Sequence, residues 1–159
     1  MRWYGQTFCN AERLTLEYKT KTGLIGNKDS YPLLNINMAD DGFSVARLRS
    51  GIRENDLPFH IKHELLNLYP VLLNKYTREY FTSEDKSFRI TLDRDMMYYR
   101  INHCGKFVSP VRRHGDVVLE IKYDPEHEPA VNGITRMFPF RVTKSSKYVM
   151  GIGSILYLP

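Results

Sequence analysis

The residues best placed to do chemistry lie in "VLEIKY", where Glu120 and Lys122 are two apart and therefore share one side of an extended strand. Such a pair has two uses. It can form part of the wet side of a half-solvated antiparallel sheet. Alternatively, the carboxylate can hold a divalent cation while the ammonium meets the oxygens of an anion. The pattern recurs twice. In "ERLTLEYKTKT", Arg13, Thr15, Glu17, Lys19 and Lys21 alternate with Leu14, Leu16 and Tyr18, and in "SFRITLDRD", Arg89, Thr91, Asp93 and Asp95 alternate with Phe88, Ile90 and Leu92. Charged strand faces of mixed sign, each with a carboxylate beside a cation, are what a metal-bound polyanion requires. The same faces fit an ordinary surface, on which Lys28, Arg78 and Lys147 are solvated cations and Glu17 and Asp93 pair with neighbours.

Alternation and the content of Tyr, Thr, Ile, Val and Phe predict strands over about residues 2–9, 12–22, 24–31, 72–82, 87–95 and 116–124. The apolar stripe of each strand is expected to pack, including Val117, Leu119, Ile121 and Tyr123 in "GDVVLEIKYDP". The turn residues of "KTGLIGNKDSYPL" predict a hairpin from Lys19 through Gly23 into Lys28. Two helices are expected between the strands: "DDGFSVARLRSGI", capped near Asp40 or Asp41, and "DLPFHIKHELLNLYP", bounded by Asp56 and Pro70. Pro110 to Gly115 and "DPEHEPAVNG" read as loops, and Ser145 or Ser146 is the expected N-cap of a short terminal helix. Tyr98 and Tyr99 follow a strand end and are expected to pack. The fold class is α+β, mainly β.

A chain of 159 residues makes one domain. Its net charge of +5 favours anionic partners without saying which. Aromatic residues are 13% of the chain, yet they form no aromatic-basic run, so nucleic acid is not an expected partner. Cys9 and Cys104 belong to no CxxC motif and are expected to be free thiols in a reducing compartment. His60 with His63, and His103 with Cys104, lack further ligands at zinc spacing. The N-terminus has no signal-peptide core, and no run approaches the roughly 20 apolar residues of a membrane span, so a cytoplasmic location is expected.

Taken in order, "RWYG", "LEYKTKTG", "NKDSYPL", "YTREYF", "FRITLDR", "VLEIKY" and "SSKYVMGI" resemble the successive motifs of the VTC domain, the polyphosphate polymerase domain of vacuolar transporter chaperones and their bacterial relatives, in the CYTH or triphosphate tunnel superfamily. The resemblance implies an antiparallel β-barrel whose tunnel is lined by basic residues and a metal-binding carboxylate. It implies transfer of the γ-phosphate of ATP to inorganic polyphosphate with release of ADP, using Mn²⁺ or Mg²⁺. Tripolyphosphate hydrolysis and non-catalytic polyphosphate or nucleotide binding are the alternatives. Arg2 resembles a tunnel-lining arginine, and Lys19 and Lys28 resemble phosphate-binding lysines. Arg78 and Arg89 resemble arginines on the triphosphate, Glu120 the metal ligand, and Lys147 the lysine near the transferring phosphate. Lys122, on the face of Glu120, and Ser146, a hydrogen-bond donor, complete the phosphate-binding set. The family domain normally begins well before "RWYG", with an R-x-R motif where this chain has Met1 and Arg2. The match is thus to the C-terminal two-thirds of the domain. The barrel is expected to be incomplete, to be closed by a homo-oligomer or a second chain.

Overall fold

The computed structural model describes residues 1–8, 14–22, 25–39, 43–102, 106–107, 110–113 and 115–156. The chain divides into two compact units, Met1–Val71 with Ile101–Val108, and Leu72–Arg100 with Ser109–Pro159.

In the first unit, β1 (Leu14–Thr22) and β2 (Ile25–Leu33) form the expected antiparallel hairpin, with Lys19 opposite Lys28 and Glu17 opposite Ser30. Its turn residues Gly23 and Leu24 lie outside the described residues, as do Cys9, Asp40, Asp41, His103 and Cys104. Period-two alternation turns Leu14 and Leu16 into the core and leaves Glu17 and Lys19 on the other side. α1 (Val45–Glu54) starts at Ser44, whose hydroxyl accepts from the Arg47 N–H at 3.2 Å, so Ser44 is the observed cap of the first predicted helix. Asn55 ends it. Its side chain accepts from Leu34 N and donates to the carbonyls of Leu34 and Gly51, tying the helix to the end of β2. α2 (Phe59–Asn67) follows Pro58 and buries Ile61. Leu33, Ile36, Met38, Phe43, Leu48, Ile52 and Leu57 complete the core with Leu14, Leu16 and Ile61. The expected strand over residues 2–9 is reduced, among its described residues, to one bridge between Arg2 and Thr15. Gly5 adopts φ +99°, and the Trp3 indole N–H bonds the Gln6 carbonyl, so the chain turns where a strand would run on.

The second unit is built on β4 (Phe88–Arg100), which runs beyond the expected end at residue 95. β3 (Leu72–Thr82) pairs with it along one edge. On the other edge, β6 (Val118–Tyr123) takes the first half of β4 and β5 (Val111–Arg113) the second, all antiparallel. β5 corrects the loop expected from Pro110 to Gly115. The β3–β4 turn is fixed by Asp85, which accepts from the hydroxyls of Ser83 and Ser87 and from Ser87 N. That turn sets the register and brings Arg78 opposite Asp93, Tyr80 opposite Thr91 and Thr82 opposite Arg89. Across β6, Thr91 faces Glu120 and Arg89 faces Lys122.

Between Lys75 and Thr77 the register slips: Tyr76 stands against both Asp95 and Met96, and Asp95 takes φ +56°. This β-bulge moves Asp95 out of the alternation and puts Met96 and Tyr98 on the side that Arg89, Thr91 and Asp93 occupy earlier in the strand. α4 (Lys147–Leu156) covers that part of the face, with Ile155, Met150 and Ile152 packed on Met96, Tyr98, Leu72 and Tyr76. Gly151 permits the close approach, since a Cβ there would meet the Tyr98 ring at 2.6 Å and Leu72 at 2.7 Å. The sheet's deepest side chains, Asp93, Met96 and Tyr98, therefore all lie on the charged side. The reverse, apolar stripe expected to pack is only half covered, with Phe81 53% exposed. "DPEHEPAVNG" is not a loop: a 3-10 turn, Pro125–His127, leads into α3 (Glu128–Thr135). Pro125 and Pro129 occupy first-turn positions, where a missing N–H is harmless.

The fold is thus α+β with antiparallel sheets, as expected, but neither sheet closes into a barrel among the described residues. β1 and β2 stand as a two-stranded sheet, and the four-stranded sheet has an edge at β3. No helix among the described residues is long and apolar enough to cross a membrane.

Candidate functional site

Residues directly opposed in antiparallel strands share a face. The registers above therefore collect Arg78 and Tyr80 of β3, Arg89, Thr91 and Asp93 of β4, and Glu120 and Lys122 of β6 on one side of the second unit's sheet. At the boundary between this polar area and the seat of α4 lies Asp93, fully buried. Arg78 donates to it twice, Nε to Oδ1 at 2.5 Å and Nη2 to Oδ2 at 2.7 Å. The Lys147 ammonium reaches Oδ2 at 2.5 Å. Burial alone would push the Asp93 carboxyl up, but these bonds and charges outweigh it and hold it below the usual carboxylate range. The bonds to Asp93 raise the Arg78 guanidinium further above its ordinary value. Both cations also lie over the Tyr76 ring, Nζ of Lys147 at 5.0 Å and Cζ of Arg78 at 5.2 Å from its centre.

Lys147 is the first residue of α4, and Ser146 caps that helix by accepting from Val149 N at 3.4 Å. The expected terminal cap is therefore Ser146. The Ser146 hydroxyl spends one of its two lone pairs on the cap and keeps its proton to donate. Further along the face, Glu120 and Lys122 approach at 3.6 Å, both partly exposed. Between the two ion pairs the Thr91 hydroxyl is buried with no hydrogen-bond partner.

In the first unit the hairpin makes a second cationic cluster. Arg2 Nη1 and Lys28 Nζ approach Glu17 Oε1 at 3.1 and 3.4 Å, and Lys19 Nζ approaches Oε2 at 3.4 Å. Burial would raise the Glu17 carboxyl, and the charges of Arg2, Lys19 and Lys28 reverse that, so it is lowered overall. Lys19 and Lys28 are more than half exposed, so their pairs with Glu17 contribute at most about 1 kcal/mol each. The surplus is the chemically useful part. Three cations surround one carboxylate here, and on the second unit's face Arg78, Arg89, Lys122 and Lys147 outnumber Asp93 and Glu120.

Against known proteins, the family model of the VTC domain matches residues 1–156. The chain belongs to the VTC domain family. It has no significant match among curated proteins or among solved structures. Family membership points to a polyphosphate-related function, with which the cation surplus of both clusters agrees.

Within this VTC domain every sequence-predicted site residue falls in one of the two clusters. Arg78, Arg89, Glu120, Lys122, Ser146 and Lys147 belong to the second unit, and Arg2, Lys19 and Lys28 to the first. Sequence reasoning named Glu17 and Asp93 only as partners of neighbouring charges on an ordinary surface, and they are the two carboxylates on which the cations converge; it left out Tyr76 and Gly151 as parts of the site. The signal for Asp93 was present in the turn "TSEDKS", which fixes the β3–β4 register and so places Arg78 across from it. Among the described residues no three His, Cys, Asp or Glu side chains gather as a ready metal cage. A single partly exposed carboxylate with an adjacent lysine nevertheless fits the way Mg²⁺ is held in phosphoryl-transfer sites, by one or two carboxylates with water and substrate phosphates. Glu120 meets that requirement; Asp93, buried under two cations, does not.

Proposed function

We propose that this VTC domain extends inorganic polyphosphate at the expense of ATP, releasing ADP. The observation that carries the reading is the single sheet face on which Arg78, Arg89, Lys122 and Lys147 exceed the carboxylates beside them. A terminal oxygen of the acceptor chain attacks the γ-phosphorus, the bond to the ADP oxygen breaks, and ADP leaves with the electron pair. The attacking oxygen is already anionic, so no general base is needed. Positioning and charge neutralisation carry most of such a step. Arg89 and Lys122 hold phosphate oxygens along the open part of the face, while Arg78 and Lys147 fix the transferring group where α4 begins. Ser146 donates a further hydrogen bond there. Glu120 would hold Mn²⁺ or Mg²⁺, which when bound would neutralise charge on the phosphate oxygens. Lys19 and Lys28 of the hairpin, with Arg2 beside them, bind phosphates as well. A tunnel around the chain would come from a homo-oligomer or a second chain pairing with free strand edges.

Incubation with ATP and Mn²⁺, with ADP, inorganic phosphate and long-chain polyphosphate resolved separately, tests this. Stoichiometric ADP and polyphosphate support it, and ADP with free phosphate alone would make the protein a hydrolase of the same superfamily. One observation favours a second reading: both sheets are open among the described residues, and water at an open face weakens each ion pair. On that reading the domain is a non-catalytic polyphosphate or nucleotide-binding module, and tripolyphosphate binds with no ADP formed.

A further inference from the structure

We infer that Asp93 is a positioning residue that locks Arg78 and Lys147 into one cationic clamp for a phosphate group, an inference that rests on the reading of this face as a polyphosphate site. Asp93 is fully buried and cannot meet a ligand itself. It acts on the two side chains that can. Arg78 spends Nε and one N–H of Nη2 on it and makes a further side-chain hydrogen bond with Tyr80, which leaves part of its five-donor fork for a ligand. Lys147 spends one of three ammonium protons. Because Arg78 Nη2 and Lys147 Nζ meet the same oxygen, Oδ2, the two cationic heads are held as neighbours with donors left over.

Two like charges at that spacing repel each other and, on long flexible side chains, would scatter. A buried carboxylate between them removes the repulsion and freezes the rotamers before any ligand arrives, so the ligand need not order them. The clamp stays net positive. α4 supplies the second constraint: Gly151, one turn after Lys147, allows the helix to lie against Tyr98 and Leu72 closely enough for Lys147 to reach Asp93.

Two simpler accounts of Asp93 give different results. If it were only a negative charge near the site, Asp93→Asn would bind a polyanion more tightly, because one repulsive charge is gone. If it were only a stabilising ion pair, the variant would melt earlier but bind equally well per folded molecule. Positioning alone predicts weaker binding. The test is calorimetric titration of the full chain with inorganic tripolyphosphate, on folded fractions checked by circular dichroism. It compares wild type, Asp93→Asn, Lys147→Met, Gly151→Ala and the Lys147→Met/Gly151→Ala double variant. Asp93→Asn should weaken binding at least tenfold. Gly151→Ala, which leaves every charge in place but pushes α4 off Tyr98, should weaken it about as much as Lys147→Met, and the double variant should bind no worse than Lys147→Met. If Asp93→Asn does not fold, the Gly151→Ala series decides by the same criterion. Binding that is unchanged or tighter in Asp93→Asn, or additive losses in the double variant, overturns this inference while wild-type binding upholds the polyphosphate reading. No binding by wild type overturns both.

Discussion

Removing Arg78 should be the most damaging single substitution of a charge in the second unit. In Arg78→Met the side chain keeps its apolar length, so packing against Tyr76 and Tyr80 is largely retained, but Asp93 loses both bonds from the guanidinium. Breaking a buried ion pair from one side costs about 3–5 kcal/mol, because the other charge stays buried. Lys147 still reaches Oδ2, so the loss belongs at the lower end, about 3 kcal/mol. Urea unfolding followed by circular dichroism measures it at pH 7 and again at acid pH. The sign of the pH dependence follows from the lowered carboxyl of Asp93. A group whose folded value lies below its unfolded one, about 3.9 for Asp, contributes stability that is fully present above that value and is lost as pH falls towards the folded one. The difference between wild type and Arg78→Met should therefore shrink steadily below pH 4. A loss under about 1 kcal/mol at pH 7, or a difference that widens on acidification, would refute the view that Asp93 is buried as an ion held by Arg78.

Glu120→Gln should leave the far-ultraviolet spectrum and melting unchanged, since the side chain is partly exposed, yet abolish Mn²⁺-dependent release of ADP; full activity at saturating Mn²⁺ would remove Glu120 as the ligand. Arg89→Ala should weaken tripolyphosphate binding at least tenfold, given about 1.5–3 kcal/mol for a charge-assisted contact, and a single-stranded oligonucleotide much less; equal small losses would mark a generic basic surface. Asp85 should titrate at about 2 in an NMR pH series, held down by the hydroxyls of Ser83 and Ser87, and Ser83→Ala should raise it towards the ordinary Asp value. An Asp85 that already titrates normally in the wild type would contradict the turn geometry from which the β3–β4 register follows.

What was legible in the sequence was what strict alternation controls. Arg89, Thr91 and Asp93 do share one face of their strand, as do Glu120 with Lys122 and Glu17 with Lys19, because side-chain direction within a strand follows parity; that the first two sets meet on one side of the sheet, and that Lys28 and Arg2 join Glu17, depends on the pairing registers, which parity does not give. Closure of a barrel is not written in parity. It depends on which edges pair, and the four-stranded sheet keeps an edge at β3. α3 was hidden by its composition, since Pro, Asn and Gly in "DPEHEPAVNG" also suit a loop; the pertinent clue was position, with proline in the first turn and glutamates beside it.

The less legible event was the bulge at Asp95, and it explains why the site lies where it does. Strict alternation from Asp93 would put Asp95, Met97 and Tyr99 on the charged face, giving α4 a carboxylate to sit on. The extra residue reverses the phase. Met96 and Tyr98 take that face instead, the seat for α4 becomes apolar, and the helix can bury Ile155 while its first residue, Lys147, reaches back over Asp93. An aspartate at the αL position is among the few non-glycine residues that tolerate it, which makes "DRDMM" readable afterwards as a bulge. The polar half of the face and its helical cover are thus two consequences of one slipped register. The buried Asp93 marks where one half gives way to the other, and that is where a lysine carried by a helix and an arginine carried by a strand meet on one carboxylate oxygen.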